Sequence, residues 1–158
     1  MYTWINMTSC YVSETLVDLG IVMIKFDQSF GPLILHNHSF LNEDQLMKVA
    51  LKGTTTLMNG LSYDLSNTRR FRGMFQLSEK LFVYGFDLLL IDDQSDDGSF
   101  VPVLVFLVFP TCSVPVVGSS IRSIEEILFK HTKAIVNLTN LTSEIVTNML
   151  SSLQGIMT

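Results

Sequence analysis

The sequence predicts a single α/β domain of the α+β type, with a five-stranded antiparallel sheet flanked by helices. Its strongest stretch is FVPVLVFLVFP at residues 100–110, in which nine of eleven residues are apolar and mostly β-branched or aromatic. Such a run is typical of a strand that is covered on both faces. A second apolar run, LFVYGFDLLLID at residues 81–92, precedes it across a short acidic loop. The two runs therefore predict a long hairpin at the centre of the sheet.

Length and composition restrict the class of protein. A chain of 158 residues with 47% hydrophobic and 16% charged residues fits one folded, core-rich domain. No run approaches the roughly 20 apolar residues of a membrane span. The net charge of −5 argues against a nucleic-acid partner, because phosphate binding requires an excess of Lys and Arg. A mean hydropathy of +0.38 suggests an apolar surface that a partner covers.

The N-terminus has no basic start and no uninterrupted apolar core, so we expect no secretory signal and a cytoplasmic protein. Two cysteines, Cys10 and Cys112, are too few for a disulfide framework, which favours two free thiols in a reducing compartment. Residues 1–18 are left as an N-terminal arm of undecided structure. The domain is predicted to occupy residues 19–158.

The first half of the domain predicts a hairpin, a helix and a third strand. GIVMIKFD (20–27) and LILHNHS (33–39) alternate as strands around a break at Gly31 and Pro32. Asn42 and Gln45 have capping-box spacing, and an apolar stripe follows them until Asn59 and Gly60 end the helix. Residues 69–77 (RRFRGMFQL) alternate as a strand with one solvated face.

The second half predicts two helices after the central hairpin. Residues 111–119 contain Pro115 and Gly118 and are expected to form a loop. The next helix begins at Ser120 or at Ser123, the latter in capping-box register with Glu126, and the chain breaks near residue 140. A last helix begins at Thr142 or Ser143. The positions that fall on the apolar faces of the two helices are Ile124, Ile127, Leu128, His131, Ile135, Leu138, Ile145, Val146, Met149, Leu150, Leu153 and Ile156.

The candidates for metal chemistry are sparse. His36 and His38 lie two residues apart on a strand and share a face, but no third ligand has a suitable spacing, so a solvated or partly buried pair is favoured over a metal site. Asp92, Asp93, Asp96 and Asp97 do not match the spacing of a calcium loop and are expected to form a solvated hairpin tip. No cofactor is predicted.

The candidates for catalysis and for binding of anions are also few. A nucleophilic Cys112 would need His131 as a base, yet His131 falls on an apolar stripe, so an enzyme remains only an alternative. Arg69, Arg70 and Arg72 form the one dense basic cluster. This cluster is either a solvated face or a site for an acidic partner or a lipid headgroup.

The order β-β-α-β-β-β-α-α, with IVMIKFDQS and Phe30-Gly31-Pro32 in the first hairpin and VYGFD at residues 83–87, resembles the longin domain. The resemblance covers residues 19–157 and implies a profilin-like sheet with helices on both faces. It also implies a non-enzymatic interaction module of membrane traffic or small-GTPase control, with no catalytic residues and with frequent dimers. The chain departs from longin SNAREs because it lacks a SNARE motif and an anchor. It is similar instead to single-domain versions of archaea and of trafficking complexes.

A roadblock-like dimeric scaffold is the close alternative, because residues 1–18 would supply the helix that precedes its first strand. The resemblance implies as partner a small GTPase or another longin or roadblock subunit in a homodimer or heterodimer, with peripheral membrane association as an option. The expected binding surface is the exterior of the first helix and the adjoining strand, and the last helix is the expected dimer contact. The predicted residues are Gln45, Lys48, Lys52, Arg69, Arg70, Arg72, Met149, Leu150 and Leu153.

Overall fold

The computed structural model describes residues 18–27, 29–58 and 72–157. These residues contain five strands, four helices and two short 3₁₀ turns at Thr111–Ser113 and Leu138–Asn140. The strands are β1 (Gly20–Asp27), β2 (Gly31–His38), β3 (Arg72–Gln76), β4 (Leu81–Ile91) and β5 (Phe100–Pro110). The helices are α1 (Glu43–Met58), α2 (Val114–Ser119), α3 (Ile121–Thr132) and α4 (Ser143–Ile156).

The strands form one antiparallel sheet in the order β2-β1-β5-β4-β3, which confirms the predicted fold class. The central strand β5 pairs along its whole length with β4, and it pairs with β1 from Gly20 to Lys25. We call the Val108 end of β5 the upper end of the sheet and the Phe100 end its lower end. The β1–β2 turn and the β4–β5 loop both lie at the lower end.

Helices cover both faces of the sheet. On the face that we call the α1 side, Val49 and Ala50 of α1 belong to one core cluster with Val22, Ile24 and Phe106. On the opposite face, the α4 side, helices α2, α3 and α4 share a larger core cluster with alternate residues of β1, β4 and β5. The first helix begins at the predicted capping box: Gln45 donates its backbone N–H to Asn42 Oδ1 over 2.8 Å, and Asn42 donates its own to Gln45 Oε1 over 3.0 Å.

The segment after β5 differs from the prediction. Residues 111–119 are not a loop, because a 3₁₀ turn leads directly into the short helix α2. Pro115 lies in the first turn of α2, where its missing N–H would have no partner within the helix in any case. The proline therefore marks the start of a helix, and the order has one short helix more than predicted.

The predicted boundaries of the last two helices hold in part. Helix α3 follows Ser120 without a side-chain cap, so the Ser123–Glu126 capping box is wrong. Ile135 and Leu138 are buried as expected, but they lie in the segment between α3 and α4. Helix α4 begins after Thr142, whose hydroxyl accepts the backbone N–H of Ile145. The predicted N-terminal arm, residues 1–18, lies outside the described residues except for Asp18. The predicted helix end at Asn59 and Gly60 lies outside them entirely.

Gly53 lies close to the sheet, and it gives a test of the packing of α1. A Cβ atom at Gly53 would lie 2.5 Å from the ring of Phe106, which is completely buried. We expect Gly53→Ala to lower the free energy of unfolding by about 1–2 kcal/mol, since overpacking outweighs the gain of roughly 1 kcal/mol in helix propensity. Chemical denaturation followed by circular dichroism measures this change.

The matched control is Gly155→Ala in α4, where an added Cβ has no neighbour within 4 Å. This variant should be unchanged or more stable by up to about 1 kcal/mol. Equal effects of the two substitutions would contradict the close approach of α1 to Phe106.

Candidate functional site

The sheet is covered unequally at its lower end. On the α4 side Leu88, Leu90 and Val101 are 6%, 2% and 7% exposed. The neighbouring side chains that point to the α1 side are exposed to solvent: Leu89 is 38% exposed and Phe100 is 52% exposed. Because successive residues of a strand point to opposite faces, the same stretches of β4 and β5 are buried on one side and exposed on the other.

The same opening continues onto β1 and β2. Ile34 pairs with Ile24, so its side chain lies on the α1 side, and it is 41% exposed. Phe26, two residues beyond Ile24, is half-buried on that side, whereas Ile24 itself is fully buried beneath α1. Coverage by α1 therefore ends between the level of Ile24 and the level of Phe26.

One flank of α1 borders this opening. Lys52 marks the flank of α1 that faces the upper end of the sheet, because it donates to the backbone oxygen of Gln76 at the upper end of β3 over 2.5 Å. Met47 and Leu51 lie on the opposite flank by helical spacing, so this second flank faces the lower end. Met47 and Leu51 are each 54% exposed. We call this patch the lower apolar surface, and its residues are Phe26, Ile34, Met47, Leu51, Leu89 and Phe100.

Acidic groups lie beside the lower apolar surface. Asp27 accepts the backbone N–H groups of Phe30 and Ser29 at 2.9 and 2.7 Å, and these bonds hold the pKa of its carboxyl below the usual range. In the β4–β5 loop, the Ser95 hydroxyl and the Ser99 backbone N–H lower the pKa of Asp97 in the same way. Both carboxylates therefore stay ionised at neutral pH.

Asp92 departs from the prediction of a wholly solvated hairpin tip. It is 8% exposed, and its carboxylate lies 3.0 Å from Lys25 Nζ on the α4 side of the sheet. This ion pair borders a cleft of about 540 Å³ that Leu33, His36 and Leu141 also line. The amine in the cleft is thus already neutralised.

The predicted residues on α1 have separate positions. Gln45 is part of the helix cap, and Lys52 is tied to β3. Lys48 is exposed on the outer surface. The use of these three residues in binding a partner stays a prediction.

The predicted arginine edge is visible only at Arg72, since Arg69 and Arg70 lie outside the described residues. Arg72 forms a 3.1 Å ion pair with Glu125 and lies 5.5 Å from the centre of the Phe129 ring, so it packs on α3. Tyr84 donates its hydroxyl to the same Glu125 over 2.8 Å. Arg72 therefore faces the α4 side, away from α1, and has a structural role whether or not it also binds a partner.

The prediction that Met149 and Leu153 anchor a partner is wrong for this fold. Both side chains are fully buried in the core beneath α4, because the apolar stripe of the helix faces the sheet. Leu150 is half-buried at the side of that core. Only Ile156, 36% exposed, presents a large apolar group of this helix to solvent.

The histidine pair supports α4. His36 Nε2 lies 2.8 Å from the backbone oxygen of Leu141, and His38 contacts the hydroxyls of Ser143 and Thr147 at 3.0 and 3.5 Å. The predicted shared face is confirmed, and both side chains are partly buried, which is one of the two expected alternatives. Within residues 18–27, 29–58 and 72–157, no group of three or more His, Cys, Asp or Glu has the arrangement of a metal site.

Cys112 is disulfide-bonded, so the expectation of a free thiol there is wrong. The bond removes the thiolate that the alternative enzymatic reading required. The proposed base, His131, instead lies 3.2 Å from the hydroxyl of Ser152 in α4. Cys10 lies outside the described residues.

Comparisons with known proteins give matches among solved structures alone. No family model matches the sequence, and no curated protein matches it. Among solved structures, the chain is similar to the K. lactis Lst4 longin domain, with a TM-score of 0.49 and 8% sequence identity over 89% of this chain and 99% of that one. None of the described helices is both long and apolar enough to cross a membrane.

The Tyr84–Glu125 contact predicts a pH dependence of stability. Burial first, and then the hydrogen bond to Glu125, raise the pKa of Tyr84 well above its usual value of 10.0. The unfolded state therefore loses this proton at a lower pH than the folded state. The stabilising contribution is complete below pH 10.0 and is lost as the pH rises through the folded pKa.

The expected result is a fall in the free energy of unfolding above pH 10.0, with a slope of up to about 1.4 kcal/mol per pH unit from this group. Tyr84→Phe removes the phenol and should flatten the slope, as measured by urea denaturation at several pH values. The control is the effect of Tyr84→Phe at pH 7, where the phenol is protonated in both states, and it sets the baseline. Identical slopes in the two proteins would contradict the assignment.

Proposed function

We propose that this chain is a non-enzymatic protein-interaction module with a longin-like fold. The observation that carries the proposal is the lower apolar surface, where exposed or half-buried side chains of four strands and one helix lie on one face at one end of the sheet. Scattered apolar residues are normal on any protein, but a contiguous patch of this kind marks a surface that another molecule covers.

The order of elements supports the longin part of the proposal. The described strands and helices follow the predicted order with one short helix added, and two longer helices follow the last strand. This arrangement favours the longin order over the roadblock alternative, which has fewer helices after its last strand. Fold alone does not determine function, so the proposal also needs the surface described above.

The finer part of the proposal concerns the partner and the process. We propose a small GTPase, or a longin or roadblock subunit, as the partner, and membrane traffic as the setting. The support is the resemblance of the sequence to longin domains. The exterior of α1 around Lys48 is the surface proposed for the GTPase.

Light scattering coupled to size-exclusion chromatography tests this proposal. The chain is run alone and after mixing with small GTPases that carry either GDP or a GTP analogue. We expect the mass to rise by one GTPase in only one nucleotide state. Lys48→Glu should weaken the complex by about fivefold, because a charge at the rim of an interface contributes on the order of 1 kcal/mol.

Arg122→Glu on α3 is the matched control, because it makes the same charge change at an exposed position on the opposite side of the sheet. It should leave the complex unchanged. A tight dimer that no GTPase alters would refute the GTPase part and leave a dimeric scaffold. A monomer that binds no GTPase and no longin or roadblock subunit would refute the whole proposal.

A further inference from the structure

We propose that the lower apolar surface binds an amphipathic helix of a partner protein, with aliphatic or aromatic anchors on one face and Lys or Arg along the flank next to the β4–β5 loop. The inference rests on the proposed function as an interaction module, and it names the surface and the chemistry of the partner. The surface adjoins the Lys48 exterior, because Met47 and Leu51 are one and three residues from Lys48, and it lies on the opposite face of the sheet from Arg72.

The dimensions of the surface suit one helix. From β2 to β4 the sheet spans three strand spacings, or about 14 Å, and from Leu104 to Phe100 it extends roughly 13 Å along the strands. A helix with its side chains is about 10–12 Å wide. The exposed Met47 and Leu51 on α1 form a wall beside this floor, so that a second helix would lie next to α1 on the same face.

The position of the surface favours a helix over an extended peptide. A peptide in β conformation binds through main-chain hydrogen bonds along the edge of a sheet. The lower apolar surface lies on the face of β1, β5 and β4, whose backbones are already paired with one another. An extended occupant would leave its own N–H and C=O groups unsatisfied there, whereas a helix satisfies them internally.

The charges around the lower end of the sheet favour a partner helix that carries Lys or Arg along one flank. Residues 26–47 and 81–110, which supply β2, β4, β5 and the two lower connections, contain no Lys or Arg. The same stretches hold eight acidic residues, among them the exposed Asp96 and Asp97. The only cation close by in β1, Lys25, faces the other side and is paired with Asp92. A partner helix with Lys or Arg therefore complements the acidic lower end of the sheet, whereas an anionic membrane surface would be repelled by it.

A display library of helical peptides of about 18 residues tests the proposal. Apolar positions at helical spacing vary among Leu, Ile, Met and Phe, and one flank carries either Lys or Glu. After selection on the full chain at low ionic strength, we expect Lys-flank peptides to exceed Glu-flank peptides by about fivefold or more. The excess should shrink near 0.5 M salt, where the Debye length is about 4 Å.

Two substitutions on the chain test the surface itself, with affinities of a selected peptide measured by fluorescence anisotropy. Leu89→Thr removes a central anchor and keeps strand propensity, and it should weaken binding by about tenfold. Its control is Met74→Thr, since Met74 is equally exposed in a strand, at 37% against 38%, but lies on the α4 side. Asp96→Lys should weaken binding of Lys-flank peptides about fivefold, and its control is Glu79→Lys at the upper end.

Each alternative outcome overturns the proposal in a recognisable way. If Glu-flank and Lys-flank peptides are enriched equally, the proposed basic flank of the partner is refuted. If Leu89→Thr leaves peptide binding intact, the peptide binds outside the lower apolar surface. No enrichment at all means that the surface is inert or covered by the chain itself. A dimer that Leu89→Thr converts to a monomer in light scattering makes a second copy the occupant. Failure of every helical peptide to bind, together with a GTPase complex that survives Leu89→Thr, refutes this inference while the proposed function stands.

Discussion

Burial of β5 on both faces is the constraint on which the rest of the structure depends. From Val103 to Phe109 every side chain is at most 1% exposed, and the strand pairs with β4 and β1 on its two edges. Each such side chain contributes about 1.5–3 kcal/mol only if something covers it. The fold therefore has to supply helices on both sides of one strand, and the order of elements along the chain meets that requirement.

The requirement is met unequally on the two sides. On the α4 side, three helices and the segment around Leu138 extend the cover to the lower end, where Ile91 donates its backbone N–H to Val136. Among the described residues, α1 is the one helix on the α1 side of a five-stranded sheet, which is about 19 Å wide between its outer strands. One helix about 10 Å in diameter leaves part of that area uncovered. The lower apolar surface is thus a geometric consequence of placing one helix against eleven-residue strands.

The sequence predicted what depends on periodicity and local chemistry. The bounds of β5 and the α1 capping box followed from residue patterns alone, and the structure confirms them. The burial of Met149 and Leu153 did not follow from residue patterns, because an apolar stripe has the same sequence pattern whether the chain itself or a partner covers it. The exposure of Leu89 was hidden for a similar reason. It lies within the run LLLI, where every position appears equally suited to a core.

An exposed apolar surface is a hazard for aggregation, and the acidic lower end gives the chain a defence that also discriminates between partners. Copies of this chain meet there with like charges, so the same carboxylates that repel self-association attract a basic helix. The apolar groups supply affinity for many sequences, whereas the charges exclude most of them. Asp27 and Asp97 are ionised at neutral pH with or without a partner, and hydrogen bonds within their own turns hold them in place, so this selectivity does not depend on the partner being present. The surface is therefore prepared for its occupant before binding.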